Sequence, residues 1–272
     1  MSRDLPISWA IHREVVLLLG WGRAILMQFA HPLVARGVAE HSGFRVEAFG
    51  GWRRLHRTLG AMLALTFGGP DDARRAADRI NAIHDRIHGA LSRPEGAFPP
   101  GTRYSAHDPE LLRWVHATLV DSFLRAYALY VRPLSPAQRD RYCAESARIE
   151  TLLGMPEGRL PRSEDELDAY LATMLSGGEL RVTDTARELA RAVLWPPRSA
   201  LAWPALATVR LATVGLLPPT LREDYGFVWN DRRARAFGVS AAVIRRVLPV
   251  VPAPLRYWPV ARTAMRHRHP ML

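Results

Sequence analysis

The chain has 272 residues, enough for one large hydrophobic core, and 48% of them are hydrophobic, which excludes general disorder. Its formal net charge is +11, yet it contains no lysine, so all 37 basic residues are arginines; this excludes Schiff-base and pyridoxal-phosphate chemistry and the P-loop lysine. The single cysteine, Cys143, excludes an intramolecular disulfide, a CxxC redox pair, a thiolate zinc site and an iron–sulfur cluster.

Apolar residues recur at a period of 3.6 along most of the chain, and alternating β-branched runs are scarce. This pattern predicts an all-α protein: one large helical domain over 1–248, then a Pro/Arg-rich tail over 249–272. Met1 to Pro6 lacks a basic stretch followed by an apolar one, so no signal peptide and a cytoplasmic location are expected. The first helix is predicted over 8–29. Its apolar stretch, Val15 to Ala30, is interrupted by Arg23 and Gln28 and is shorter than the ~20 residues of a membrane span, so it reads as a buried helix. A helix over 31–40 follows, then one over 52–67. There Arg54, Arg57 and Thr58 share a face at i, i+3 and i+4, just before the apolar run from Leu59 to Phe67. That is the pattern either of a pocket floor or of a solvated first turn. In the next helix, over 71–91, Asp71 and Asp72 complement the dipole at the start. His84 and His88, at i and i+4, would share one of its faces.

A proline- and glycine-rich loop is expected from Arg93 to Ser105. The helix over 108–130 opens on Asp108-Pro109 and that over 135–153 on Ser135-Pro136; Ser163 with Glu166 forms a capping-box pattern before the helix over 164–175. Helices over 183–195, 199–215 and 230–248 complete the domain, with loops over 154–162 and 216–220. The tail from Pro249 carries prolines and a His/Arg-rich end, and is expected to wrap the surface or fray.

The arginines run from Arg3 to Arg268 and mostly alternate with acids, as on solvated helix faces. No specific nucleic-acid partner is expected from them; weak contact with an anionic membrane surface is favoured over it. No GxGxxG follows a strand-like run and no GxSxG elbow occurs. Chemistry therefore falls to the histidines on or near apolar helices: His31, His41, His56, His84, His88 and His116. Three metal readings compete. His84 and His88 have zinc spacing, but HEXXH is absent. A di-iron bundle needs Glu-x-x-His pairs on two helices, and there are none. Haem b needs one imidazole and an apolar slot, and without CxxCH it would be non-covalent. For each histidine alone, a hydrogen-bonded structural role stands beside the ligand role.

Six segments in order carry a resemblance. They are LMQFAHPLVARGVAEHS (26–42), RRLHRTLGAMLALTFG (53–68), INAIHDRIHG (80–89), YSAHDPELLRWVHATLVDSFL (104–124), LSPAQRDRYCAE (134–145) and LLPPTLREDYGFVW (216–229). Together they resemble the oxygenase family that includes mpaB and the catalytic domain of the rubber oxygenase (latex-clearing protein). The resemblance implies a globin-reminiscent helical bundle holding haem b, with dioxygen as co-substrate and a hydrophobic small molecule, isoprenoid or polyketide-like, as substrate. It implies His84 as the proximal iron ligand, with His31, His41, His88 and His116 as secondary candidates. The family's distal Arg-x-x-Lys-Thr motif appears as Arg54, Arg57 and Thr58, with arginine in place of lysine. A guanidinium stays protonated and does not donate a lone pair, so Arg57 is expected to act by hydrogen bonding. Asn81 and His88 stand at the spacings where relatives carry an arginine beside the proximal histidine. Two other readings remain: a haem-binding sensor or carrier without turnover, and a haem-free protein that binds a hydrophobic ligand.

Overall fold

The computed structural model describes residues 5–41, 50–195 and 203–267. At its centre lies helix α2 (Leu18–Phe29), flanked by α6 (Pro109–Tyr130) and α11 (Trp203–Leu216). Glycines let these helices approach closely. A Cβ at Gly20 would lie 2.7 Å from the Ala126 Cβ, and one at Gly22 only 2.1 Å from the Thr213 hydroxyl. Leu26, Met27 and Phe29 of α2 join Trp114, Phe123 and Tyr127 of α6 in the main core. Among the described residues the strands are confined to one two-stranded ribbon, β1 (His88–Ala90) and β2 (Arg103–Ser105), and the other regular elements are helices. The fold is all-α, as the periodicity predicts, and among the described residues no single helix is long and apolar enough to cross a membrane.

Arg23, which interrupts the apolar run of α2, is buried and fully used. Its Nε donates to the Leu216 carbonyl (2.7 Å), Nη1 donates to the Ser122 hydroxyl (2.7 Å), and Nη2 pairs with Asp121 at 2.5 Å. Burial pulls the Arg23 pKa down, against the pull of Asp121. Asp121→Ala removes the counter-charge and leaves a guanidinium stranded in the core. It is expected to destabilise the fold by about 3–5 kcal/mol in urea unfolding, whereas the double replacement Arg23→Met with Asp121→Leu recovers most of that loss.

Cap signals are borne out at three helix starts. Asp108 accepts from the Glu110 amide at α6, and Ser135 with Gln138 forms a full capping box at α7 (Pro136–Ser146). At α9 (Glu164–Ser176) Ser163 accepts from the Glu166 amide, but the Glu166 carboxylate accepts from the Arg162 amide rather than closing the box.

Four expectations need correction. The helix predicted over 8–29 is broken into α1 (Ile7–His12), a 3-10 turn (Val15–Leu17) and α2. Glu14 between them is extended, fully buried, and held in a two-pronged ion pair with Arg256 at 2.9 and 2.8 Å. That contact comes from the segment expected to wrap or fray. Instead α14 (Ala253–Arg256) and α15 (Pro259–His267) form, and Ala261 and Ala264 pack with Trp9 and Phe67. The helix predicted over 71–91 is α5 (Pro70–His84), which ends at His84. Beyond it Gly89 lies so close to Tyr104 that a Cβ would be 2.6 Å from the phenol oxygen; glycine there admits the ribbon, which also takes Arg103 to Ser105 out of the expected loop. The helix over 135–153 splits into α7 and α8 (Ile149–Leu152), because buried Ala147 packs with Leu112, Met155 and Leu160 at the break. The buried Glu150 carboxylate then gathers the amides of Gly158 and Leu160 and the Arg162 guanidinium.

Candidate functional site

Helix α4 (Gly50–Phe67) and α5 pack as a hairpin about Gly68 and Gly69. A Cβ at Gly68 would lie 2.4 Å from the Ala64 carbonyl oxygen, so the turn depends on glycine. Leu59 and Met62 of α4 join the main core, while Leu63 and Phe67 join the cluster around Trp9. By helical spacing Arg54, Arg57, Thr58, Ala61, Ala64 and Leu65 occupy the opposite face. The Arg54 side chain lies outside the described residues. Arg57 and Thr58 are exposed; Ala61, Ala64 and Leu65 are half-buried. The face is open: a Cβ on neighbouring Gly60 would meet nothing within 4 Å. Arg54 and His84 each stand about four helical turns from the hairpin turn, so the two helices carry them to one level.

His84 is half-buried at the last turn of α5, where a helix C-terminus favours a basic group. The His107 ring meets it edge to face, with centroids 5.6 Å apart and planes at 82°. His107 in turn pairs through Nε2 with Asp85 at 2.8 Å. Asn81, one turn earlier, donates to the Leu152 carbonyl (2.9 Å) and fixes this end of α5 against α8. His107, absent from the sequence candidates, thus stands next to the lead candidate. Its only sequence signal was its place just before the Asp108-Pro109 cap.

The secondary candidates scatter. His88 is exposed on β1 opposite Ser105, so it shares no helix face with His84, and the paired-histidine zinc geometry is lost. His56 is exposed on α4. His41, exposed at the end of α3 (Pro32–His41), is bonded through Nδ1 to the Gly37 carbonyl at 3.2 Å and lies 6.2 Å from the Tyr104 ring. His31 is buried at the start of α3, stacked on Phe98 at 5.6 Å, and its Nδ1 has no hydrogen-bond partner among the described residues. Burial pulls its pKa down to about 4, against the pull of Asp108, so the ring is neutral at pH 7. Thus His31, His41, His84 and His88 all fall around the ribbon and its loop, whereas His116 lies elsewhere, between α6 and α7. It is buried, donates from Nε2 to the Ser146 carbonyl (3.0 Å), and has its pKa pulled down to about 4 by burial. Another buried histidine, His12, was not a sequence candidate; it bonds the Tyr142 hydroxyl at 2.9 Å. No three His, Cys, Asp or Glu side chains gather as a metal site among the described residues.

Residues 9–246 match the family model described as ER-bound oxygenase mpaB/B'/rubber oxygenase, catalytic domain. The chain belongs to this family. Relatives include uncharacterised proteins of Mycobacterium bovis and Mycobacterium tuberculosis, each 28% identical over 233 residues, covering 84% of this chain and 87% of theirs. No solved structure matches. Haem b, implied by the resemblance to this oxygenase family, asks for one imidazole and an apolar surface beside it. His84 meets the first half of that demand with one half-buried imidazole at the level of Arg54, with exposed Arg57 and Thr58 about one turn nearer the hairpin turn. Half-buried Ala61, Ala64 and Leu65 continue the same α4 face about two to three turns away, toward the hairpin turn.

Proposed function

We propose that this oxygenase-family protein binds one non-covalent haem b through His84 and acts with dioxygen on a hydrophobic small molecule, isoprenoid or polyketide-like. The observation that carries the reading is the α4–α5 hairpin, which brings His84 level with the Arg54–Thr58 face. Bound haem b supplies the one-electron and dioxygen chemistry that side chains lack. The chain's own groups do the rest. His107, anchored by Asp85, limits the orientations open to the His84 ring. Arg57 keeps a permanent positive charge, which stabilises negative charge developing on oxygen but gives no lone pair to a metal. Thr58 can donate or accept a hydrogen bond at its hydroxyl, and Ala61, Ala64 and Leu65 give an apolar substrate a surface that excludes water.

Purified protein is expected to yield about one haem b per chain by acid–acetone extraction and pyridine haemochrome assay. Colourless protein that also takes up no added hemin overturns the proposal. Dioxygen consumption with candidate isoprenoids then distinguishes an oxygenase from a haem-binding sensor or carrier.

A further inference from the structure

Beyond Asp231 the sequence carries no Asp or Glu, while arginines continue to Arg268. Glu14, the acid that this segment grips, is fully buried and spent on Arg256. The segment therefore presents positive charge with nothing of its own to balance it.

Exposed apolar side chains gather in the same place. Six of the ten large apolar residues exposed among the described residues fall within it: Val239, Val243, Val247, Val250, Leu255 and Val260. Scattered singly they would be ordinary surface, but gathered in one segment they mark a contact face. Helix α13 (Asp231–Val247) shows how the face is built. Phe237 packs on Gly215, and Ala241 and Ile244 join the main core. Val239, Val243 and Val247 follow at i+4 spacing along another side, turned to solvent. Exposed Arg232, Arg235 and Arg246 stand seven, four and three residues from one of these valines, so they flank the stripe.

The stripe runs on into the 3-10 turn Leu248–Val250 and α14. Buried Leu248 and the Glu14–Arg256 ion pair hold this stretch down, so that Val250 and Leu255 project, 79% and 72% exposed. Beside Leu255, an open pocket of about 440 Å³ is lined by Ala253, Pro254, Tyr257 and Met265 together with Arg262 and Arg266. The Arg262 Nε is buried and has no hydrogen-bond partner among the described residues. Apolar walls beside two guanidiniums suit the phosphate and first carbons of an anionic lipid.

We propose that α13, the turn after it and α14–α15 form a face that docks on a membrane surface rich in anionic lipid. Val250 and Leu255 enter the interface with the α13 valines beside them, and the arginines stay among the lipid phosphates. Docking is peripheral, because the other side of α13 packs in the core. Charge and residue type select this occupant. A second copy would bring its own unbalanced arginines, and like charges repel. Protein partners are anchored mostly by tryptophan, tyrosine and arginine, whereas the projecting residues here are valines and a leucine. A bilayer asks only for apolar tips ringed by positive charge. This inference does not depend on haem.

Co-sedimentation of the full chain with vesicles tests it. Vesicles of phosphatidylcholine with about 30% phosphatidylglycerol should bind it at least about tenfold more strongly than phosphatidylcholine alone, in about 0.1 M salt. Val250→Ser with Leu255→Ser should weaken that binding about tenfold or more. Arg235→Gln with Arg246→Gln should do the same. All four positions are exposed, so the helical circular dichroism should not change. Arg74→Gln with Arg159→Gln removes the same charge from exposed positions elsewhere and should keep most of the binding. The proposal is overturned if anionic vesicles bind no more than neutral ones, or if either face variant binds like the wild type. It is equally overturned if the Arg74 and Arg159 pair loses as much as the Arg235 and Arg246 pair. A dimer of the free protein that Val239→Asp with Val243→Asp separates would assign the face to a second copy and overturn it as well.

Discussion

In a His84→Ala variant, haem content is expected to fall from about one per chain to below about a tenth, with the helical circular dichroism unchanged. The fold should survive because α5 is anchored by other residues. Ala76 and Ala77 are buried, and Asn81 bonds α8, while His84 itself is only half-buried. Free imidazole added to His84→Gly should restore the absorption spectrum, since the ring and not its tether does the binding. His88→Ala should keep its haem, because His88 is an exposed residue of the ribbon. His107→Ala should also keep it, with an altered spectrum, because that ring only orients its neighbour. If His84→Ala stays coloured and His31→Ala does not, the ligand is the buried ring beneath Phe98 at the start of α3, and the assignment to α5 is wrong.

The helices that the sequence predicts well are those whose ends are decided locally. Asp108-Pro109 and Ser135-Pro136 mark starts that the structure reproduces with capping bonds in place. The failures all come from contacts distant in sequence. Glu14 breaks the first helix because its carboxylate reaches Arg256, more than two hundred residues away in the chain. Nothing in the 3.6 periodicity of Val15 to Phe29 reports such a partner. The same contact explains why the proline-rich tail is ordered: prolines at the starts of α14 and α15 are permitted at first helical positions, and the bond to Glu14 gives the segment a reason to fold there. The end of α5 was illegible for a similar reason, since Gly89, five residues beyond His84, reads as a C-cap or an interior residue until Tyr104 is seen against it.

The candidate site divides the same way. Arg57 and Thr58 share a helix face, as their spacing requires, and that face turns away from the core. The sequence left open whether it was a pocket floor or a solvated turn, because residues on one helix do not reveal what lies opposite. His88 illustrates the reverse error, a periodicity extended past the point where the chain turns. His107 and His12 were invisible because their roles arise from tertiary neighbours, Asp85 in one case and Tyr142 in the other.

Stability is expected to fall steeply between about pH 6.5 and pH 4, by about 2 kcal/mol for each of His12, His31 and His116 at about pH 5. Burial lowers the pKa of each ring from 6.5 to about 4 in the folded protein. In the unfolded chain the rings take up protons near pH 6.5, whereas the folded chain resists until about pH 4. The unfolded state therefore binds more protons in this window, and stability rises with pH through it and levels off above it. The geometry gives the reason. His116 already donates from Nε2 to Ser146, so an added proton must go to Nδ1, which is buried with no partner among the described residues. His12 accepts a hydrogen bond at Nε2 from the Tyr142 hydroxyl, and burial keeps that phenol protonated by pushing its pKa up, so a proton added at Nε2 meets a donor. Nearby Glu150 and Asp108 pull His116 and His31 the other way but do not outweigh burial. Urea unfolding measured from pH 7.5 to 4.5 checks the slope, and His116→Asn should reduce the loss at about pH 5 by about 2 kcal/mol, one ring's share. A flat profile from pH 7 to pH 5 would show that these rings are hydrated and take up protons in the folded chain.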